Sequence, residues 1–166
     1  MNDDNIRRVI IFGPQGSGKG TQAEKLGEYL GIPFLGMGQL LRDASREETE
    51  QGKFLRQQLT EGTLTPEHIT NGILAERLKH DDITKGFVLE GFPRNDIQEK
   101  AFREMVATIH GGIPITHAIV LLFSDKQAIE RLTQRRTCSK CEDVYHLLYH
   151  PPKKEGKCDE CGGDLF

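Results

Sequence analysis

The sequence predicts an α/β fold in which a parallel β-sheet is flanked by helices. Three short apolar runs, Val9–Phe12, Phe87–Leu89 and Ala118–Phe123, are each followed by a turn and a helical pattern. Apolar runs without polar alternation are typical of strands covered on both faces, and their alternation with amphipathic helices indicates parallel pairing. A chain of 166 residues has room for one sizeable core.

The connecting elements follow from apolar spacing and from capping residues. Thr21–Leu30 has helical periodicity directly after the first turn, and a further helix is expected to begin near Asp96. Ser124 and Gln127 form a capping box that predicts the start of the next helix. Phe34-Leu35 is short and apolar and is interpreted as an additional strand.

One stretch departs from this alternation. Gly38–Gly62 carries two helical patterns with dense charge and no strand, which predicts a small helical insert. A helix is then expected to restart with Thr65 as its N-cap and Pro66 at its first position. The residues of that helix expected to face the core are Ile69, Ile73 and Leu78.

Composition and charge exclude several classes of protein. Lys and Arg number 22 against 25 Asp and Glu, and a formal charge of −3 argues against non-specific binding of nucleic acid. The short, polar segment that precedes Val9 predicts neither a signal peptide nor a membrane span, so a cytosolic, reducing setting is expected. The four cysteines are then not expected to form disulfides.

Gly13–Lys19 has the spacing of a phosphate-binding loop, with Gly, four residues, Gly and Lys between a strand and a helix. Backbone N–H groups of such a loop converge on an anion, and Lys19 adds a charge for the β- and γ-phosphates. The alternative is a Gly-rich connection without a ligand. Gly20 stands where many such loops have a Ser or Thr ligand of Mg²⁺, with Thr21 next, so Mg²⁺ is expected to be held mainly by phosphates and water.

A second motif, Glu90-Gly91-Phe92-Pro93-Arg94, follows the Phe87–Leu89 strand. Ligands bind at the carboxyl ends of strands in open α/β sheets, so Arg94 is expected near Lys19. The alternative for Arg94, and for Arg42 in the insert, is an ordinary surface or salt-bridged arginine.

From Thr137 onward helical periodicity disappears, and the cysteines predict a metal site. Their pattern is C-x₂-C-x₁₆-C-x₂-C, formed by Cys138, Cys141, Cys158 and Cys161. Four thiolates suit a structural, tetrahedral Zn²⁺ with no open position. The alternatives are free or oxidised thiols, or His146 and His150 as ligands; Tyr145 and His146 are interpreted rather as packing residues of a hairpin.

Taken together, these motifs resemble those of adenylate kinases over nearly the whole chain. The loop Gly13–Thr21 followed by Gln22-Ala23, the Gly-Phe-Pro-Arg run and the pair Arg135-Arg136 ahead of the cysteines occur in that family's order. The resemblance implies a P-loop NTPase-like core of residues 1–36 and 66–136, a monophosphate-binding subdomain of residues 37–65 and a zinc-binding lid of residues 137–166. It implies reversible phosphoryl transfer from MgATP to AMP, giving two ADP.

The resemblance also implies the site residues. Lys19, Arg94 and Arg135 would be catalytic, with Arg135 near the transferring phosphate. Arg42 and Arg94 would grip the monophosphate, Gln98 would read the adenine edge and Arg131 would lie against the donor base. The ATP-binding set is Gly13, Gly16, Ser17, Gly18, Lys19, Gly20, Thr21, Arg131 and Arg135. The AMP-binding set is Met37, Arg42, Leu64, Gly91, Arg94 and Gln98.

Two positions depart from the family pattern. Gly36-Met37-Gly38-Gln39 stands where Ser-Thr-Gly-Asp is usual, so a thioether replaces a hydroxyl near the acceptor base and base discrimination should be weaker. Glu90 replaces the usual Asp before the Gly-Phe-Pro-Arg run and adds a methylene to a carboxylate expected to contact hydrated Mg²⁺.

The expected ligands are ATP, AMP and ADP, with Mg²⁺ and structural Zn²⁺, in a monomer that binds neither nucleic acid nor membrane. The resemblance implies a lid arginine shortly after Phe166, a second arginine on a returning helix, and a final strand and helix. The sequence is therefore interpreted as a truncated form with an incomplete lid, very slow transfer and the strand Ala118–Phe123 at a sheet edge. Two alternatives stay open: a nucleotide-binding regulatory or inactive truncated kinase, or a kinase for another nucleoside monophosphate.

Overall fold

A computed structural model describes residues 6–109, 112, 114–141 and 143–166. The helices and strands are, in chain order, β1 (Arg7–Phe12), α1 (Lys19–Leu30), β2 (Phe34–Gly36), α2 (Met37–Ser45), α3 (Glu50–Glu61), α4 (Glu67–Arg77), β3 (Gly86–Glu90), α5 (Asp96–Thr108), β4 (His117–Val120), α6 (Asp125–Thr133), β5 (Arg135–Thr137) and β6 (Val144–His146).

These elements belong to two compact units. The first unit contains β1 and Lys19–Val120, and the second contains Gly13–Gly18 and Leu121–Phe166.

The sheet of the first unit is parallel, as predicted, with the strand order β2-β3-β1-β4. β3 and the middle of β1 are buried, which fits their uninterrupted apolar sequences. Side chains from both strands and from α4 and α5 form the main core. Its fully or nearly fully buried members are Ile10, Leu35, Met37, Leu74, Leu78, Ile83, Phe87, Leu89, Phe92, Phe102 and Val106.

β4 differs from the prediction of a strand over Ala118–Phe123. It ends at Val120, and all four of its residues are exposed. The register explains the early end, because Val120 pairs with Phe12, the last residue of β1. β4 lies at the edge of the sheet, where a strand has a neighbour on one side only.

The start of α4 also differs by one residue from the prediction. Pro66, not Thr65, is the N-cap, and the helix begins at Glu67. The Pro66 carbonyl accepts the first helical bonds, from Ile69 at 3.1 Å and Thr70 at 3.1 Å, which is the role of an N-cap carbonyl.

The predicted core face of α4 is only partly right. Leu78 is fully buried and Ile73 packs against the core, but Ile69 is only partly buried. The buried residues of α4 are Thr70 and Leu74, which lie four positions apart and so share one face of the helix.

The other predicted helices are present. α2 and α3 form the insert, and α3 is capped by Thr49 at its start and by left-handed Gly62 at its end. Asn95 accepts a hydrogen bond from the Gln98 N–H at the start of α5. The Ser124–Gln127 capping box is present at α6.

The second unit contains the cysteine-rich β module. β5 and β6 pair antiparallel, and isolated bridges join Cys138 to Leu165 and Lys157 to Asp164. Cys138, Tyr145 and Cys158 form a small buried cluster with Leu165 against it. Across the described ranges, no helix combines the length and apolar character needed to cross a bilayer.

Candidate functional site

The Gly13–Gly18 loop is held in one conformation by its contacts within the second unit. The Ser17 N–H donates to the Pro14 carbonyl at 3.3 Å, which closes a turn. Gly16 has φ +79°, and a Cβ there would lie 2.9 Å from the Ala128 carbonyl oxygen of α6. Ser17 is buried, and in the described part of the chain its hydroxyl has no hydrogen-bond partner. The loop therefore has a defined backbone shape and a buried polar group ready for a ligand.

Arg131 lies beside this loop on α6. A Cβ at Gly18 would lie 3.7 Å from an Arg131 guanidinium nitrogen. The guanidinium carbon is 4.4 Å from the centre of the Phe123 ring and 5.7 Å from that of Tyr149. The predicted ATP-binding residues Gly16, Gly18 and Arg131 are thus brought together. The sequence did not predict that Phe123 and Tyr149 contact Arg131, because no local pattern connects these residues.

Lys19 forms an ion pair in the first unit. Its ammonium nitrogen lies 3.5 Å from a Glu90 carboxylate oxygen, with side-chain exposures of 21% and 17%. Lys19 begins α1 and Glu90 ends β3, so the contact brings together the two ends that the topology predicted to be near one another. A cation and a carboxylate that both reach solvent can exchange partners when a charged ligand binds.

The run after β3 forms a tight loop that presents Arg94. Gly91 has φ +82°, and a Cβ there would lie 3.2 Å from the Met37 Cβ, so a larger residue would be both strained and crowded. Arg94 is exposed, and its Nε donates to the Gly91 carbonyl at 2.8 Å. The Arg94 N–H donates to Gln98 Oε1 at 2.8 Å, and Gln98 is buried. The loop thereby fixes one arginine toward solvent and orients one buried amide.

The other predicted acceptor residues occupy different environments. Met37 is 1% exposed and belongs to the main core. Arg42 is partly buried on α2 and donates to Gln39 Oε1 at 2.7 and 3.3 Å. Leu64 is 85% exposed in the segment after α3. The burial of Met37 adds information that the sequence lacked, and its contact with an acceptor base stays a prediction.

The four cysteines form one cluster in the second unit. Their sulfur atoms all lie within 4.8 Å of one another. Three pairs are close: Cys138–Cys161 and Cys141–Cys158 at 3.4 Å, and Cys141–Cys161 at 3.2 Å. Zn–S bonds of about 2.3 Å in a tetrahedron place sulfurs about 3.8 Å apart. The cluster can therefore hold a metal ion.

Hydrogen bonds favour the deprotonated, metal-binding form of two of the sulfurs, those of Cys138 and Cys158. The pKa of Cys141 moves the other way: the Asp143 backbone N–H lowers it, but the neighbouring cysteine sulfurs and burial raise it to about 12. A bond from the Cys141 backbone N–H is the main cause that lowers the pKa of Cys138 to about 6. The Tyr145 hydroxyl is the main cause that lowers the pKa of Cys158. His146 Nδ1 accepts the N–H groups of Leu148 and Tyr149 at 3.2 and 3.3 Å, so this nitrogen supports the hairpin instead of a metal.

Arg135 is exposed on β5 and pairs in register with His146 of β6. Thr21 is exposed in the first turns of α1, and Gly20 beside it has no atom within 4 Å of an added Cβ. The predicted site residues are therefore divided between the two units. The second unit contains Gly13–Gly18, Arg131, Arg135 and the four cysteines. The first unit contains Lys19, Gly20, Thr21 and all the predicted AMP-binding residues.

A phosphate-binding loop between the first strand and the first helix of a parallel sheet defines a P-loop nucleotide-binding protein. The family model described as adenylate kinase matches residues 11–160. An adenylate kinase of Archaeoglobus fulgidus is 42% identical over 158 residues, which are 95% of this chain and 72% of the relative. Adenylate kinases of Bacillus licheniformis and of a Geobacillus species are 41% and 42% identical over similar spans, again 95% of this chain and 72% of each relative. The chain belongs to the adenylate kinase family.

Proposed function

We propose that the chain catalyses reversible transfer of the γ-phosphoryl group of MgATP to AMP, giving two ADP. The observation that carries the proposal is the adenylate kinase match over residues 11–160, which includes the phosphate loop, the Arg94 run and three of the four cysteines with most of the segment around them. Mg²⁺ accompanies ATP in this chemistry and neutralises charge on the phosphates.

On the donor side, we assign the phosphates of ATP to Gly13–Lys19 and the donor base to Arg131. A base can stack on the guanidinium plane of Arg131, whose two aromatic neighbours limit its movement. Arg135 is assigned to the transferring phosphate. The Lys19 ammonium lies 3.5 Å from a Glu90 carboxylate oxygen, and we propose that the phosphates displace Glu90 from Lys19.

Once released, the Glu90 carboxylate is available to the water shell of Mg²⁺, which usually keeps several waters beside phosphates. The Glu90 side chain, one methylene longer than the usual Asp, extends to within 3.5 Å of the Lys19 ammonium nitrogen.

On the acceptor side, we assign the AMP phosphate to Arg42 and Arg94 and the adenine edge to Gln98. Gln98 Oε1 is bonded to the Arg94 N–H, so the amide offers its NH₂ group as donor to a ring nitrogen of the base. Gly91 keeps the loop close to α2, and Leu64 supplies an exposed apolar contact. Residues 37–65 are proposed as the monophosphate-binding subdomain.

The transition state of phosphoryl transfer is loose, with charge spread over the transferring oxygens. Positioning and electrostatic stabilisation by Lys19, Arg94, Arg42 and Arg135 therefore suffice, and no side chain needs to act as a general base. Closure of the lid, residues 137–166, is proposed to exclude water and so to suppress hydrolysis of ATP.

We propose Zn²⁺ as the metal of the four cysteines. Four sulfur ligands at near-tetrahedral separations suit zinc and leave no position for a substrate. The ion would hold the β module together, which has only a small core of its own. The cytosolic setting and the monomeric state remain predictions.

A coupled spectrophotometric assay with MgATP and each of AMP, GMP, CMP and UMP tests the proposal, with Lys19→Ala as the inactive control. AMP should be preferred, by a narrower margin than the family pattern implies, since one hydroxyl or methylene changes discrimination by about 1–3 kcal/mol. Equal use of AMP and GMP would contradict the assigned acceptor. Tight MgATP binding without transfer to any monophosphate would instead indicate a nucleotide-binding protein that is not a kinase.

A further inference from the structure

Tyr145 is the central residue of β6 and is buried inside the lid. Its side chain is 2% exposed and packs with Cys138 and Cys158. Its ring stacks on His150 with centres 5.5 Å apart and planes 11° from parallel. A buried phenol requires partners for its hydroxyl. Two partners lie in the segment Cys158–Cys161, the second cysteine pair of the sequence pattern: the Cys158 sulfur and the Asp159 N–H.

The direction of one of these hydrogen bonds is fixed, and the direction of the other depends on whether the Cys158 sulfur carries a proton. A metal-bound thiolate has no proton and can only accept. A backbone N–H can only donate, so the 2.8 Å contact from the Asp159 N–H occupies a lone pair of the Tyr145 oxygen. The hydroxyl has a single proton of its own, and the Cys158 sulfur lies 3.5 Å away in a buried contact. A hydrogen bond from a neutral donor to a charged sulfur is stronger than one between neutral groups.

We infer that Tyr145 is a positioning residue for the metal site, because its hydroxyl donates to the Cys158 sulfur and stabilises that sulfur in its metal-bound form. The inference rests on the zinc site proposed above and adds to it a residue outside the four ligands. The Tyr145 hydroxyl thus links β6 to two groups of the second cysteine pair, the Cys158 sulfur and the Asp159 backbone N–H.

The connection reaches a residue assigned to transfer. β6 pairs with β5, and Arg135 at the start of β5 is opposite His146, the neighbour of Tyr145. The hydroxyl therefore couples metal retention to the strand pair that carries Arg135. Partners around a metal ligand commonly affect metal affinity by about 10–100-fold when they are removed.

The test compares Tyr145→Phe, which keeps the ring, with Tyr149→Phe, which removes an equivalent hydroxyl from an exposed lid residue (72% exposed). Zinc affinity is measured by competition with a chromophoric chelator, on 166-residue chains whose near-ultraviolet spectra match in excess zinc. Tyr145→Phe should bind Zn²⁺ about 10–100-fold more weakly, whereas Tyr149→Phe should match the unsubstituted chain.

Cobalt substitution supplies a readout that a packing role would not change. Replacement of Zn²⁺ by Co²⁺ gives a sulfur-to-metal charge-transfer band, and loss of a hydrogen bond to sulfur raises the energy of its electrons. The band of Tyr145→Phe should move to longer wavelength. The Asp143 carboxylate, two positions before Tyr145 in the chain, is the alternative acceptor for the same proton. A bond to Asp143 would leave the band unmoved.

An unchanged band overturns the inference, even if zinc affinity falls, because the effect would then be one of packing. Unchanged affinity with an unchanged band overturns it as well. Failure of the unsubstituted chain to bind Zn²⁺ or Co²⁺ would refute the metal site itself, which separates the two proposals.

Discussion

Substitution of Gly16 tests whether the shape of the phosphate loop, and not only its charge, determines nucleotide binding. An alanine at φ +79° is in the left-handed region, which costs an L-residue about 1–2 kcal/mol. Its methyl would also lie 2.9 Å from the Ala128 carbonyl oxygen and 3.1 Å from a Leu132 side-chain carbon. The backbone of α6 is held by its helical hydrogen bonds and does not shift easily. In Gly16→Ala the loop without bound nucleotide is therefore expected to relieve the strain by leaving its native conformation.

Binding of MgATP must then restore that conformation, and the cost appears in the affinity. An energy of 1–2 kcal/mol corresponds to about 5–30-fold, at 1.4 kcal/mol for each factor of ten. This figure is a lower bound for Gly16→Ala, because the contact with Ala128 adds to the backbone term. We expect at least a tenfold rise in the Kd for MgATP, measured by isothermal titration calorimetry.

Two other glycines of the same segment separate the cost of the left-handed backbone from the cost of the contact with Ala128. Gly18 has φ +80°, but an added Cβ there meets only an Arg131 nitrogen at 3.7 Å, an ordinary contact. Gly18→Ala should therefore show the backbone cost alone. Gly20 is in the predicted ATP-binding set, but alanine keeps its backbone N–H and the added Cβ meets no protein atom within 4 Å, so Gly20→Ala should bind MgATP like the unsubstituted chain. Equal affinities for Gly16→Ala and Gly20→Ala would refute the reasoning, and equal losses at Gly16 and Gly18 would refute the part assigned to α6.

Three further predictions concern charge and metal. Lys19→Ala should abolish transfer, measured by initial rates, and weaken MgATP binding, measured by calorimetry. Arg94→Ala should mainly raise the KM for AMP, and an unchanged KM would contradict the role assigned to Arg94. Cys138→Ser should remove the metal, measured by mass spectrometry, and lower the Tm with little change in MgATP affinity. Hydrogen bonds from Arg77 at 2.6 and 2.8 Å lower the pKa of Asp82 in the folded chain. This pair stabilises the fold above the unfolded pKa and loses its effect as pH falls through the folded pKa. Because Asp82 is half exposed, Arg77→Gln should cost only about 0.2–1 kcal/mol in urea unfolding at pH 7, and the cost should disappear in acid.

Local patterns predicted most of the secondary structure correctly. The Ser124–Gln127 box and the apolar strands before Gly13 and Gly91 involve residues within a few positions of one another, and each appears in the structure. The error at Thr65 is equally local: the helix begins one residue later than predicted, and helix ends commonly differ by one or two residues.

The residue at which β4 ends could not be predicted from the sequence of that segment. The apolar run continues to Phe123, so the pattern alone predicts a longer strand. The strand stops at Val120 because its partner β1 stops at Phe12, more than a hundred positions earlier in the chain. Ladder hydrogen bonds require both strands, and one sequence run contains only one of them.

By itself the sequence determined the class of this protein: a parallel α/β fold with a phosphate loop at Gly13–Lys19 and a four-cysteine module. These features are properties of spacing, and spacing is read directly from the chain. Only the tertiary structure decided that Met37 lies in the core, that Glu90 pairs with Lys19 and that the Tyr145 hydroxyl reaches Cys158. Each of these facts joins residues that are far apart in the chain or depends on what surrounds a side chain. The energy of such contacts comes from burial and geometry that exist only after folding.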